Sequence, residues 1–353
     1  MLAKRLALLC FSVIALFHPY TSFNQSIHSV ARQANAWMTA EDGILEVSPF
    51  NTLQSGRQVP GQVTTSTILE VNPTEYVKLF EKHNGAFRVK IPFNGKTLSL
   101  ILYNSAAGDE TTVSTSTLGE VIVKTGALFR GIIEGDNASL VGLSFFENGD
   151  IYGVISTPTD GNIVLGRFDD PLFTGIDQYM IYKESDLLIT NDFACRQDEL
   201  PEVPGSGLND IQTQNAMAPG DKCVGFGIAV SFNMYSTAFG SSLANTTNYV
   251  NALLNNVGAI YATADVYIYL NTLFIYTTAG SDPNNYSAGT YEALLSFGFS
   301  LPDNYMNGNL FQLLTNHGLG GGIAWLDVLC SPVGTDPNGG PAAYEYKTSV
   351  SAN

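Results

Sequence analysis

The sequence predicts an α+β protein with two domains, an antiparallel β-rich domain followed by an α/β domain. The chain has 353 residues, which is too long for one average domain and enough for two separate cores. Short apolar runs broken by turn residues fill the first half. After residue 222 the pattern changes to strands separated by helical periodicity, which is typical of a mixed α/β domain.

The N-terminus has the pattern of a secretory signal peptide, which we assign to residues 1–23. Lys4 and Arg5 precede an apolar run from Leu6 to Phe17, and polar residues follow. The run is short for a transmembrane helix, and no later stretch reaches about 18 uninterrupted apolar residues, so we expect no membrane anchor. The predicted localisation is secreted, either extracellular or periplasmic.

The composition argues against some partners. The chain has 32 acidic and 16 basic side chains, a formal net charge of −16, and its 45% hydrophobic content is that of a globular protein. Such an excess of negative charge repels nucleic-acid phosphates and anionic lipid surfaces. We therefore expect no nucleic-acid partner.

Residues 24–198 form the predicted β-rich domain. Alternating runs such as "FRVKIPFNGKTLSLILYN" and "GNIVLGRF" indicate strands, and Asn-Gly pairs at 94–95 and 148–149 indicate hairpins. Residues 199–222 contain Pro, Gly and polar residues with little periodicity, which is typical of an exposed linker. A protease would cut such a segment readily.

Residues 223–353 form the second predicted domain. "CVGFGIAVSF" (223–232) and "VYIYLNTLFIY" (266–276) read as strands. Between them a helix, with Thr246 or Thr247 as its cap, is predicted by apolar residues at three- and four-residue spacing. These residues are Val250, Leu253, Leu254, Val257, Ile260 and Tyr261. "TYEALLSFG" and "NLFQLLTN" are predicted as short helices, and the glycine run after them leads into a strand, "IAWLDVLC".

The motifs of several enzyme classes are missing from this sequence. The glycines of "NHGLGGGIAWLDVLCSP" (316–332) are not followed by Gly-Lys-Ser/Thr or a helix, so they predict a turn before a strand rather than a phosphate loop. The histidines are scattered, and neither Cys-x-x-Cys nor G-x-S-x-G occurs. We expect His317 to be a solvated loop residue rather than a ligand. No complete active site is recognisable.

Three cysteines follow the signal peptide, Cys195, Cys223 and Cys330. An odd number in an oxidising compartment predicts one disulfide and one further thiol.

The segment from Cys223 to Pro332 resembles the first half of an adamalysin-type (reprolysin-like) metzincin catalytic domain. The resemblance lies in the order of a strand, a long helix ending near "NNVGAIYATAD", the strand "VYIYLNTLFIY", "NLFQLLT" and finally "GGGIAWLDVLCSP". Upstream, "FRGIIEGDNASLVGLSFFENGDIYGVIS" and "QYMIYKESDL" are similar to the β-rich prodomain of the same enzymes. This resemblance implies the zymogen of a secreted zinc-dependent metalloendopeptidase, which hydrolyses polypeptide substrates.

In that family the motif His-Glu-x-x-His-x-x-Gly-x-x-His follows shortly after the segment that here reads "YEYKTSVSAN". Its three histidines hold zinc, and its glutamate activates the metal-bound water. We therefore expect a C-terminally truncated chain, from a fragmentary gene model or a real early stop. Such a chain would hold no zinc and would have no catalytic residues of its own.

The resemblance gives a role to the strand after the glycines. In the family this is an edge strand over the cleft, to which the substrate adds as an antiparallel strand. That role falls on Gly322, Ile323 and Ala324. A strand edge that only faces solvent is the alternative.

The resemblance also gives roles to the cysteines. Cys195 is the candidate for the prodomain cysteine that family zymogens keep on zinc; an unpaired or differently bridged cysteine is the alternative. Cys223 and Cys330 are the candidate disulfide, which would close a loop of about 107 residues and stabilise the fold by roughly 4–5 kcal/mol. The activating protease would cut within 199–222.

Two other functions stay open. One is a non-catalytic secreted binding or adhesion protein, for which the acidic charge and the Tyr- and Asn-rich surface would serve. The other is a prodomain-like inhibitor that occupies the cleft of another protease. A His-Glu-x-x-His helix encoded downstream would favour the metalloprotease precursor, and dose-dependent inhibition of a related protease would favour the inhibitor.

Overall fold

The protein is a mixed α+β structure made mostly of strands, as the sequence predicts. The computed structural model describes residues 27–39, 43–53, 62–81, 85–106, 108–168, 178–188, 194–195, 200, 222–287, 289–301, 306–326, 328–329, 333–335, 337 and 342–352. No helix within these ranges is long and apolar enough to cross a membrane. The predicted signal peptide and nearly all of the predicted linker lie outside them, so both assignments stay predictions.

The described residues form four α-helices and twenty strands, numbered here in chain order. The helices are α1 (Ser29–Met38), α2 (Pro73–Tyr76), α3 (Leu243–Ala262) and α4 (Thr290–Ser300). The first ten strands are β1 (Ile44–Val47), β2 (Phe50–Thr52), β3 (Thr67–Val71), β4 (Ala86–Phe93), β5 (Lys96–Asn104), β6 (Glu110–Thr115), β7 (Gly119–Lys124), β8 (Ala127–Ile133), β9 (Asp136–Phe145) and β10 (Ile151–Thr157). The others are β11 (Gly161–Phe168), β12 (Gln178–Lys183), β13 (Ala194–Cys195), β14 (Lys222–Val230), β15 (Val266–Ile275), β16 (Leu310–Thr315), β17 (Gly321–Ala324), β18 (Gly334–Thr335), β19 (Ala343–Tyr344) and β20 (Thr348–Ala352).

The chain divides into two compact units that alternate along the sequence. Unit 1 comprises Met1–Glu110, Lys124–Asn191 and Asn248–Asp265, and unit 2 comprises Thr111–Val123, Asp192–Thr247 and Val266–Asn353. The hairpin β6–β7, apart from its end residues Glu110 and Lys124, therefore belongs to unit 2, although its sequence lies within the predicted first domain. Most of α3 belongs to unit 1, although its sequence lies within the predicted second domain.

Unit 1 is built on a ten-stranded sheet in the order β1-β4-β5-β8-β9-β10-β11-β12-β3-β2. Inward-facing side chains of all ten strands meet in one core, which runs from Val47 on β1 to Tyr179 on β12. The Phe50 ring of β2 lies 6.4 Å from the Phe145 ring of β9. One core shared by every strand requires the sheet to curl around it.

The two predicted Asn-Gly turns are present in unit 1. Asn94 and Gly95 have φ values of 48° and 72°, and they join Phe93 to Lys96, which are paired across β4 and β5. Positive φ at both turn positions matches the twist of a two-residue hairpin, which is why Asn-Gly predicts it. The second pair, at 148–149, lies in the longer turn between β9 and β10.

The predicted long helix is confirmed as α3, but its cap is not the predicted one. The backbone N–H of Asn245 donates to the Ser242 hydroxyl at 3.2 Å. Thr246 lies inside the helix, and its hydroxyl donates back to the Ser242 carbonyl at 2.8 Å. The helix begins about one turn before the predicted cap, because Leu243 and Ala244 precede the repeating apolar positions that predict the helix.

Unit 2 is built on an eight-stranded sheet in the order β13-β17-β20-β16-β14-β15-β6-β7. Strands β14, β15, β16 and β20 run parallel, and β17 runs antiparallel to β20. The prediction that "NLFQLLTN" is helical is wrong, because Leu310–Thr315 forms the central strand β16. The prediction for "TYEALLSFG" is confirmed, because it begins α4.

Candidate functional site

The strand after the glycine run forms where the sequence predicts it, but it is shorter. Gly320 and Gly321 have φ values of 76° and 151°, a backbone conformation that residues with a Cβ rarely adopt. The chain then enters β17, which ends at Ala324. Ile323 is buried in the unit 2 core, so the face of this strand is fixed. The glycines act as the turn that starts the strand.

β17 carries strand partners on both sides. On one side Gly322, Ile323 and Ala324 pair antiparallel with β20. On the other side β13 runs parallel to it, with Ala194 beside Gly321 and Cys195 beside Gly322. The structure therefore brings together the predicted substrate-binding edge strand and the predicted cysteine-switch residue. Within the described ranges, the pairing on this outer side ends at Gly322.

The described cysteines are not bonded to each other. Cys195 and Cys223 are both exposed thiols. Cys223 lies on β14, where it pairs with Tyr267 of β15. Cys330 lies outside the described residues, so its predicted disulfide with Cys223 stays a prediction.

A group of polar side chains lies where three parallel strands of unit 2 end. β14 leads through α3 to β15 on one side, and β15 leads through α4 to β16 on the other side of β14. This change of direction makes the carboxyl ends of β14 and β16 a topological switch point, where open α/β sheets usually bind ligands. Ser231 follows β14 and Thr315 ends β16.

These strand ends are joined by a chain of polar contacts, which we call the strand-end cluster. The Ser231 hydroxyl donates to Thr315 Oγ1 at 3.0 Å, and Thr315 Oγ1 lies 2.8 Å from His317 Nδ1. The His317 ring stacks on Tyr286, with centroids 3.9 Å apart and an interplanar angle of 9°. The Tyr286 hydroxyl donates to the Asp282 carboxylate at 3.0 Å.

Burial sets the protonation states in this cluster. Burial lowers the pKa of His317, and the Asp282 charge acts in the opposite direction. Burial and the nearby carboxylate both raise the pKa of Tyr286, so its hydroxyl stays protonated and donates. The prediction that His317 is a solvated loop residue is wrong, because it is half-buried and stacked. Its position next to glycines gave no sign of the tyrosine 31 residues earlier that it contacts.

The cluster does not have the arrangement of a serine nucleophile with its base. The Ser231 hydroxyl donates to Thr315 and accepts from the backbone N–H of Met234 at 3.2 Å. Asp282 accepts from the Phe232 backbone at 3.0 Å as well as from the tyrosine. These contacts hold the ends of β14 and β16 against the loop after β15. The cluster therefore supports a structural role, which is to fix the positions of these strand ends and this loop.

The described residues do not fit the zinc ion that the family resemblance implies. In the described part of the chain, no group of three or more His, Cys, Asp or Glu side chains could hold a metal ion. Cys195 offers one thiol at the sheet edge and lacks such a group around it. No catalytic step through a metal follows from these residues.

Comparisons with known proteins add no family assignment. Neither a scan against protein-family models nor a search of curated proteins finds a match to this chain.

Proposed function

We propose that this chain is the precursor of a secreted zinc-dependent metalloendopeptidase of the reprolysin-like metzincin type, held inactive by its own prodomain. The observation that carries the proposal is the pairing of β13 with β17. It brings Cys195, from sequence before the predicted linker, beside the strand that the resemblance assigns to substrate binding. An inhibitory segment has to occupy the outer side of this strand, because the substrate would otherwise pair there.

The direction of β13 supports inhibition rather than cleavage. The resemblance implies that a substrate adds antiparallel to β17, whereas β13 runs parallel to it. A parallel strand presents its peptide groups in the opposite sense and with a different hydrogen-bond pattern. β13 therefore occupies the outer side of β17 at Gly322, but its peptide bonds do not have the orientation of a bound substrate.

The order of elements after residue 222 also supports the proposal. Strand β14, helix α3, strand β15 and the later β17 follow the order that the resemblance implies. One departure is at "NLFQLLT", which is predicted as a helix and forms strand β16 here. The metal ligands and the catalytic base of the proposed enzyme are not among the described residues, so the roles derived for this chain are substrate alignment on β17 and its blockage by β13.

The first experiment is to sequence the transcript from the native source beyond the codon of Asn353. An open reading frame that encodes His-Glu-x-x-His-x-x-Gly-x-x-His is the expected result. A stop codon directly after this codon would overturn the proposal of a metalloendopeptidase and favour the inhibitor or adhesion functions.

A second experiment tests the role of Cys195 in the extended protein. The uncut precursor should hydrolyse peptides slowly, and Cys195→Ala should raise that rate. Ala194→Ser is the matched control, because it changes the neighbouring residue of β13 and leaves the Cys195 thiol in place. Equal rates for the two variants would show that Cys195 is not the switch.

A further inference from the structure

Strand β7 lies at one end of the unit 2 sheet that the described strands form. Its side chains alternate, with Glu120, Ile122 and Lys124 exposed and Val121 and Val123 half-buried. Ile122 is 65% exposed, which is unusual for an isoleucine in a strand. An exposed apolar edge strand is a template on which another strand can pair.

The hairpin register determines which backbone groups face outward. The Thr125 N–H donates to the Asp109 carbonyl at 3.0 Å. Asp109 directly precedes β6, and Thr125 directly follows β7. Hydrogen-bonded pairs alternate along an antiparallel ladder, so the N–H and C=O groups of Glu120, Ile122 and Lys124 point away from β6. These three residues present the backbone donors and acceptors of the edge.

The sequence of β7 is complementary to itself in the antiparallel direction. With a twofold axis at Ile122, each Ile122 faces its copy, and Val121 faces Val123 of the second copy. Glu120 then faces Lys124 of the second copy, once on each side of the axis. Opposite charges and β-branched residues directly across a strand pair are both stabilising. The outward-facing backbone groups lie at the positions that this register pairs.

We propose that β7 is a dimerisation edge, on which a second copy of this chain adds its own β7 antiparallel and centred on Ile122. The contact is isologous, so it closes on two copies rather than growing into a fibre. Lys124 contacts Glu147 at 2.7 Å, but both side chains are exposed, so the lysine is accessible to a second carboxylate. This dimer does not depend on the proposed protease function.

The first test is sedimentation velocity of the 353-residue chain over a concentration series. Wild-type protein should shift from monomer to dimer with concentration. Ile122→Lys should weaken dimerisation at least tenfold, because two lysines would face each other on the axis. Leu118→Lys is the matched control: Leu118 is also 65% exposed but lies in the turn before β7, so its replacement should leave the dimer unchanged.

Charge reversal tests the register. Glu120→Lys alone, or Lys124→Glu alone, places like charges together on both sides of the axis and should weaken the dimer about tenfold. The double variant restores opposite charges and should bring the dissociation constant back to within about threefold of wild type. Circular dichroism should be unchanged in each variant, because both positions are exposed.

Three results would overturn the proposal. These are a wild-type monomer at every concentration, an Ile122→Lys variant that dimerises like wild type, and a double charge reversal no better than the single ones. A dimer that is lost in Leu118→Lys but kept in Ile122→Lys would assign the contact to the turn instead.

Discussion

Replacing Asn255 with leucine should destabilise unit 1 strongly. This buried residue of α3 donates from its amide Nδ2 to the carbonyls of Phe129 and Leu143 at 3.0 and 3.1 Å, and to the Ser144 hydroxyl at 3.2 Å. One side chain thus joins the helix to two neighbouring strands, β8 and β9. Leucine has nearly the same shape but no polar atoms, so all these contacts are lost.

The hydrogen bonds that the amide oxygen of Asn255 accepts add to the expected loss of stability. Asn255 Oδ1 accepts from Arg130 Nε at 3.1 Å and from the Ser105 hydroxyl at 2.7 Å. Asn255 is buried, and burial also lowers the pKa of Arg130, so little solvent can replace a lost partner of the amide. A neutral hydrogen bond contributes about 1 kcal/mol net, and a buried polar group left without a partner costs about 1–3 kcal/mol. We therefore expect the free energy of unfolding to fall by about 3–5 kcal/mol.

The adjacent residue provides the control. Both amide atoms of Asn256 are buried and have no hydrogen-bond partner among the described residues. Asn256→Leu removes two polar atoms that have no partner and changes the side-chain volume little. It should therefore leave the free energy of unfolding unchanged or raise it by about 1 kcal/mol. The two variants make the same chemical change one residue apart on one helix.

The assay uses the two tryptophans of the chain, of which Trp37 lies in unit 1 and Trp325 in unit 2. In a Trp325→Phe background, fluorescence reports on unit 1 alone during urea denaturation. Asn255→Leu should lower the midpoint by about 1–2 M at ordinary urea m-values. A loss below about 1 kcal/mol, or an equal loss for Asn256→Leu, would refute the assignment of this stability to the amide contacts.

Three further outcomes are expected in unit 2. Burial lowers the pKa of His317 below 6.5, so the unfolded chain binds more protons than the folded chain as the pH falls. The contribution of His317 to the free energy of unfolding is therefore fully present above pH 6.5 and is lost as the pH drops towards the folded-state pKa. In His317→Phe, the urea midpoint should differ less between about pH 8 and about pH 5 than it does in the wild type. Gly298→Ala should lower the free energy of unfolding by about 1–3 kcal/mol, because its Cβ would lie 2.3 Å from a tyrosine ring, whereas Gly280→Ala meets nothing within 4 Å and should be neutral in the same assay. Non-reducing peptide mapping should find Cys223 joined to Cys330. Reduction of this disulfide should lower the free energy of unfolding by about 4–5 kcal/mol.

Local features of this fold could be predicted from the sequence. The turn at Asn94-Gly95 follows from the φ values that those two residues tolerate, and α3 follows from apolar spacing. β16 could not be recognised, because a strand buried on both faces reads as a continuous apolar run that also fits a helix. The tendency of Leu and Gln to favour helices added to that error.

Pairing between distant segments left no signal in the sequence. β6 pairs with β15 about 160 residues later, and β13 pairs with β17 after an interval of more than 120 residues. A two-residue strand such as β13 has no periodicity, and its place depends only on backbone groups that every residue carries. The strand-end cluster was hidden for a similar reason, because His317 and Tyr286 meet only through the sheet order.

The two ends of the unit 2 sheet bear on how the proposed precursor would be activated. β13 adds to β17 at one end, β6–β7 adds to β15 at the other, and both additions come from sequence before the predicted linker. While the linker is intact, each added strand is present at a high effective concentration, since it is tethered to the strand it covers. A cut within 199–222 would turn both pairings into contacts between separate chains. A single cleavage would therefore weaken the cover on both outer strands, including the one proposed to align the substrate.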